Sequence, residues 1–218
     1  GGRASRGNGR GVAAHGDYSP RGYSSPADEV GDCWWSGGAF VQERVILGGH
    51  AVSAVIAMLA AITEPERFSD LILVTPSPRY IDDLPDYRGG FSRADIDGLL
   101  EMMDVNALGW AAFLAPIVMG NPDRPELTGD LETTFCSIDP IMARQFAQVT
   151  FLADNRHDLA KVSTPSLIIP CANDPVAPTE VGDFVHKHLA GSTLRTIAAL
   201  GHCPHVTHPP PTGPQHPG

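Results

Sequence analysis

Gly48-Gly49-His50-Ala51-Val52-Ser53-Ala54 is the stretch on which the reading of this chain turns. The short apolar run Val45-Ile46-Leu47 leads into it, and an apolar, helix-like run, Val52 to Ile62, leads out. Strand, sharp turn with small residues, then helix is the build of a nucleophile elbow. Such an elbow holds its nucleophile on a strained turn, with a small residue two positions away on each side. Gly49 and Ser53 supply the small neighbours. The position between them calls for Ser, Cys or Asp, and the residue there is Ala51. A methyl group cannot attack a carbonyl, so the reading depends on whether the other catalytic parts are present.

Two of them are found downstream, in the chain order that elbow enzymes use: nucleophile, acid, histidine. Asp174 follows the apolar run Ser166-Leu167-Ile168-Ile169-Pro170, within Cys171-Ala172-Asn173-Asp174-Pro175. His202 stands on a turn opened by Gly201, just after the run Leu194 to Leu200. Taken alone, an Asp after a strand reads as a turn residue or helix cap, and a lone Gly-His carries little. Taken together, at the ends of strand-like runs, the three positions have the logic of a catalytic triad.

At this point a resemblance enters. The strings GGHAVSAVIAMLAAITEPERF, LVTPSPRYIDD, YRGGF, LLEMMDVNALGWA, NPDRPEL, FCSIDPIMARQF, PSLIIPCANDPVAP and GHCPHVTHP resemble the RsbQ-like group of the α/β-hydrolase superfamily. That group is related to the plant karrikin and strigolactone receptor hydrolases. The resemblance runs from Gly48 to about His208. It implies the acid role for Asp174, the base role for His202, and the nucleophile position at Ala51. It also implies serine-type hydrolysis of a small apolar ester or lactone, with the backbone N–H of Val52 as half of an oxyanion hole and no cofactor. A four-helix cap at about 78–158 would roof a narrow apolar pocket, with Trp110, Phe113, Phe135, Phe151 and Val176 as candidate lining. For these aromatics and for Phe146, the competing reading is plain packing of helices on the core.

The chain has 218 residues, enough for one domain with a real core. Its net charge of −10 argues against a nucleic-acid binder, which needs a basic face. No apolar stretch approaches the about 18 residues of a membrane span, and no signal-peptide h-region is evident. Cys33, Cys136, Cys171 and Cys203 are scattered with no Cys-x-x-Cys, which reads as reduced thiols in a cytoplasmic protein.

Residues 1–40 are expected to be disordered or irregular, since Gly1 to Gly16 is rich in Gly and Arg with little to bury. The α/β core is expected over 41–208 and a Pro-rich tail over 209–218. From Val45 the pattern alternates: strand Val45–Leu47, helix Val52–Ile62, strand Leu71–Thr75, and later strand Leu167–Ile169, helix Thr179–Leu189 and strand Thr193–Ile197. Short buried runs separated by helices read as parallel strands in βαβ units. Right-handed crossovers would then gather Ala51, Asp174 and His202 along one sheet edge. Four helices are read in between: Ile96–Met103, Ala107–Val118, Leu127–Phe135 and Pro140–Ala153, the last capped by Asp139. The readable strands make a sheet of about four, with the elbow strand as an edge and no second oxyanion loop recognised before it.

Other motif readings compete. His202, His205 and His208 are spaced as zinc ligands sometimes are, but Pro204 and Pro209 are expected to break a helix there. Asp82, Asp83 and Asp86 lack the ligand loop of a calcium site. Ser53 lies in the first helical turn, where its hydroxyl is expected to face the packing surface or the backbone and not a reacting carbonyl. Two functions from different classes therefore stand side by side. One is a hydrolase impaired at Ala51. The other is a receptor-like module that binds a small apolar ligand and signals through a protein partner. A third reading is a non-functional fragment.

Overall fold

The computed structural model describes residues 44–208. Expectations for residues 1–40 and for the tail 209–218 lie outside the described residues.

Strand β1 (Val45–His50) leads into helix α1 (Val52–Thr63), and strand β2 (Phe68–Val74) follows. Beyond the helical insertion come β3 (Ser166–Ile169), β4 (Cys171–Asn173), helix α6 (Thr179–His188), β5 (Ser192–Leu194), β6 (Ile197–Leu200) and a short helix α7 (Pro204–Thr207). Among the described residues the main sheet is four-stranded in the order β1-β2-β3-β5, and all its pairs are parallel. Leu71, Leu73 and Ile168 are fully buried in it. Burial from both faces explains why these strands read as unbroken apolar runs.

β1 is longer than the expected Val45–Leu47. Gly48, Gly49 and His50 pair with Ile72, Leu73 and Val74, so the glycines belong to the strand and the turn is compressed onto Ala51. The expected strand Thr193–Ile197 is two strands. Pro170 separates β3 from β4, because a ring nitrogen with no N–H breaks the ladder. The Pro170 carbonyl still accepts from the Ile197 N–H at 3.0 Å, which carries the alignment across the gap into the β4–β6 pair.

Between β2 and β3 stand α2 (Arg93–Val105), α3 (Ala107–Met119), α4 (Pro125–Ser137) and α5 (Pro140–Leu152). Their boundaries follow local chemistry. Ser92 and Asp95 form a reciprocal capping box, and the Asn106 side chain accepts from the Gly109 N–H. Asp139 accepts from the N–H groups of Ile141 and Met142, with Pro140 in the first turn. The four helices build a second apolar cluster, distinct from the sheet core, around Ile96, Met103, Trp110, Leu114 and Phe151.

The two linkers of this insertion are pinned together. Arg156 reaches Asp154 at 2.7 Å and Asp83 at 3.0 Å, and its guanidinium lies 4.9 Å from the centroid of the Tyr87 ring. Arg79 joins at 2.9 Å from Asp154.

One expectation is corrected at the C-terminal end. Pro204 does not break a helix but opens α7. A proline in the first turn forfeits an N–H that would be unpaired anyway.

Candidate active site

Ala51, Asp174 and His202 lie just beyond β1, β4 and β6, at the C-terminal edge of parallel strands. Open α/β sheets present their sites at that edge.

Ala51 sits at φ +54° and ψ −121°, a conformation that a residue with a Cβ rarely adopts. The surroundings enforce it. Its N–H donates to the Val74 carbonyl at 3.0 Å, and its own carbonyl accepts from the Ala54 N–H at 3.1 Å. Gly49 makes the sharp entry possible, since a Cβ there would lie 2.5 Å from the Ser53 carbonyl carbon and 2.6 Å from the Ala54 nitrogen. Strain over-determined by its neighbours is typical of functional turns. Val52 opens α1, so its N–H is one of the orphan donors of a helix N-terminus, at the positive end of the dipole. Ser53 is exposed in that first turn, so of the two expected placements the packing surface does not hold.

The Asp–His pair is buried, with His202 only 4% exposed and Asp174 only 7%. His202 Nδ1–H donates to Asp174 Oδ2 at 2.8 Å. Asp174 Oδ1 accepts from the N–H groups of Val176 at 2.8 Å and Ala177 at 3.0 Å. The carboxylate is thus held at both oxygens. With Nδ1 donating, the neutral ring keeps Nε2 as its free acceptor, the tautomer a general base requires. Gly201 (φ +82°) makes the turn before His202, where a Cβ would come within 2.7 Å of the Met119 carbonyl carbon. The His202 N–H donates to the Val118 carbonyl at 2.8 Å, tying this loop to the end of α3.

Two residues of the site carry no signal in the sequence reading. His50 Nε2–H donates to the His202 carbonyl at 2.6 Å, and its ring centroid is 4.8 Å from that of His202 and 4.6 Å from that of His205. The same carbonyl accepts from Thr75 Oγ1 at 3.3 Å. Thr75 also has positive φ, at +42°. Position next to the elbow could have pointed to His50; nothing local marks Thr75. Burial foremost, then the neighbouring His202 imidazole, pushes His50 down to about 3.

Among the described residues, the two buried thiols near Asp174 are not activated. Burial, and then the charge of Asp174, pushes Cys171 up to about 12 and Cys203 up to about 11. Both remain protonated near neutral pH and are poor nucleophiles.

Of the candidate pocket residues, Trp110, Phe151 and Val176 are buried in the helical cluster, and the Phe135 ring packs 5.1 Å from that of Trp110. Phe113 is 49% exposed and lies outside that cluster, because Trp110, Ala111 and Leu114 occupy the inward face of α3. Trp110 Nε1 is buried without a hydrogen-bond partner among the described residues. Among those residues no group of three His, Cys, Asp or Glu side chains is arranged to hold a metal ion. Asp82 is engaged by the N–H groups of Gly89 and Gly90, and Asp83 by Arg156. No helix among the described residues is long and apolar enough to cross a membrane.

Comparisons with known proteins bear on this geometry. A family model described as the alpha/beta hydrolase family matches residues 4–212. A probable esterase of Oryza sativa subsp. japonica is 37% identical over 162 residues, covering 74% of this chain and 59% of its own length. A strigolactone esterase of Arabidopsis thaliana is 34% identical, covering 74% of this chain and 60% of its own length. The chain therefore spans about 60% of the length of such relatives. Among solved structures, a hydrolase from Oleispira antarctica is 40% identical with a TM-score of 0.84, covering 88% of this chain and 70% of its own. An esterase from Exiguobacterium antarcticum, 20% identical with a TM-score of 0.78, covers 88% of this chain and 71% of its own and shares the fold.

Proposed function

Because this chain belongs to the α/β-hydrolase family, we infer that it carries the machinery of a serine-type hydrolase of small apolar esters or lactones, halted at Ala51. The observation that carries this reading is the strained elbow at Ala51 beside a buried, oriented Asp174–His202 pair. In the complete reaction a hydroxyl at position 51 attacks the acyl carbon, and His202 Nε2 takes its proton. Asp174 keeps the ring in that tautomer and stabilises the imidazolium, and the Val52 N–H receives charge on the developing oxyanion. The imidazolium then protonates the alcohol as it leaves; His202 next takes a proton from the water that attacks the acyl-enzyme and returns it to the residue-51 oxygen as the acid departs. No cofactor enters any step. With Ala51 the sequence stops before bond formation, and a ligand is bound without being cleaved.

The four-helix insertion acts as a cap over this edge, within a core of 41–208. Its buried Trp110 and Phe151 and partly buried Phe135, together with buried Val176 from the loop after β4, favour a small apolar ligand, and the Trp110 Nε1–H, unpartnered among the described residues, suits a ligand that brings an oxygen acceptor. Phe113 is the weakest member of that lining, given its exposure.

The same observations favour a second reading, a receptor-like binding module that signals through a protein partner. Relatives include the karrikin insensitive 2 receptor CA of Petunia hybrida, 36% identical over 162 residues. Ala51 keeps the backbone of the elbow while removing its chemistry, which suits binding without turnover. The test measures p-nitrophenyl acetate turnover together with saturable binding of a small lactone followed by tryptophan fluorescence. Turnover at background with saturable binding is the expected pair of results. Rapid turnover blocked by a serine-directed inhibitor would overturn the halted-hydrolase reading.

A further inference from the structure

The carbonyl of His202 is more heavily engaged than a turn carbonyl needs to be. It receives His50 Nε2–H at 2.6 Å and, more loosely, Thr75 Oγ1–H at 3.3 Å. A carbonyl oxygen only accepts, so His50 must carry its proton on Nε2. His50 ends β1 and is bonded to Ala51. One residue therefore joins the backbone of the elbow to the backbone of the histidine loop, across a sequence separation of 152 residues.

That link is short in covalent terms. From Ala51 it passes through one peptide bond, one imidazole and one hydrogen bond to reach His202. The backbone donors of the loop lead elsewhere: the His202 N–H goes to Val118 in the helical insertion, and Gly201 N–H goes to Asn173. The His50 ring is also packed between the rings of His202 and His205. Burial keeps His50 neutral, so it adds a directed donor without placing a second cation beside a ring that must itself accept a proton.

We propose that His50 is a positioning residue: its Nε2–H, bonded to the His202 carbonyl, fixes the histidine loop against the elbow and thereby holds the His202–Asp174 hydrogen bond in register. This rests on the reading of Asp174 and His202 as the acid and base. Second-contact residues of this kind act by restricting the rotamers of the group that does chemistry. Loss of the donor leaves the His202 carbonyl with the longer Thr75 bond alone, and the loop gains freedom to swing its ring away from Asp174.

The experiment is proton and nitrogen NMR on the intact chain with Ala51 in place, so no turnover is required. The reporter is the downfield Nδ1–H resonance of His202, assigned by its disappearance in His202→Ala. We compare the parent chain with His50→Leu, which removes the donor, and His50→Gln, whose amide can present an N–H at the place of Nε2. Circular dichroism melts check that each variant is folded. The expected result is a sharp resonance in the parent, its loss or severe exchange broadening in folded His50→Leu, and recovery in His50→Gln. A purely structural role would lower the melting temperature without moving the resonance in the folded protein. A resonance unchanged in folded His50→Leu overturns the proposal and leaves the acid–base reading standing. A parent chain in which the ring nitrogens show His202 protonated only on Nε2 overturns the acid–base reading, and the proposal with it. Should His50→Leu fail to fold, long-range proton–nitrogen correlations in the parent decide the matter. His50 as the Nε2–H tautomer supports the proposal, and the Nδ1–H tautomer refutes it.

Discussion

Replacing Ala51 with glycine should stabilise the protein, although glycine in place of alanine usually weakens a fold. Ala51 adopts φ +54° and ψ −121° with a Cβ attached. A residue held in so sparsely populated a region costs about 1–3 kcal/mol, which glycine recovers. Against this stand the greater freedom of glycine in the unfolded chain, about 0.4–1 kcal/mol, and the loss of one half-buried methyl group, worth a fraction of roughly 0.8 kcal/mol. The balance is a gain of about 1 kcal/mol, or roughly 2–4 °C in melting temperature for a chain of this size. The opposite substitution two residues earlier supplies the contrast. In Gly49→Ala the new Cβ meets the Ser53 carbonyl carbon at 2.5 Å and the Ala54 nitrogen at 2.6 Å. Both belong to backbone that α1 holds in place, so a loss of about 1–3 kcal/mol or more is expected. The assay is urea and thermal unfolding of the three proteins by circular dichroism. A lower midpoint for Ala51→Gly, or a neutral Gly49→Ala, would refute the strained elbow.

Acid should weaken the fold partly through His50. Its folded value of about 3 lies below the unfolded value of 6.5, so its contribution is intact above pH 6.5 and is lost as the pH falls toward 3. At pH 5 that loss is on the order of 2 kcal/mol, and His50→Gln should show a shallower fall in urea midpoint between pH 7 and pH 5 than the parent. His202 and His205 face the same ring, so an identical slope in both proteins would remove His50 as the source. Arg156→Met should lower the melting temperature by several degrees, because Asp154 and Asp83 lose their shared cation and Tyr87 loses its stacked guanidinium. Raising salt should narrow the gap between parent and variant, and a melt indifferent to the substitution would show that the linkers are held by other contacts. Esterase turnover of the parent chain should stay at background, since loss of the nucleophile costs on the order of a millionfold in a well-studied serine protease.

The fold was legible because parallel strands buried on both faces leave continuous apolar runs, and Val45–Leu47, Leu71–Thr75 and Leu167–Ile169 each fall on an observed strand. The four helices between β2 and β3 were equally plain, since Asp139–Pro140 and the polar breaks between them are local capping signals. The boundaries that went astray did so for tertiary reasons. Gly48 and Gly49 look like a turn, yet they pair with Ile72 and Leu73; at Gly49 glycine is required by the close approach of α1's first turn, a tertiary reason and not a turn signal. Pro170 hides the continuity of β3 into β4, which depends on a partner carbonyl contact with Ile197. The placement of Asp174 and His202 just after strands was legible, and the structure brings the two side chains together. Thr75 and His50 could not be assigned a part, because each acts on the His202 carbonyl from 127 and 152 residues away. Phe113 shows the limit of aromatic counting: helical rotation on α3, set by Trp110 and Leu114, leaves it half exposed.

The central claim is that position 51 is the nucleophile position of a base that is already in place. The most direct measurement is intact-mass labelling of Ala51→Ser with a fluorophosphonate, run beside the parent and beside the double variant Ala51→Ser with His202→Ala. The account predicts one phosphonyl adduct per chain on residue 51 in the single variant, none in the parent, and a rate reduced by orders of magnitude without His202. Labelling of Ala51→Ser that is absent, falls on another residue, or proceeds equally fast without His202 would contradict it.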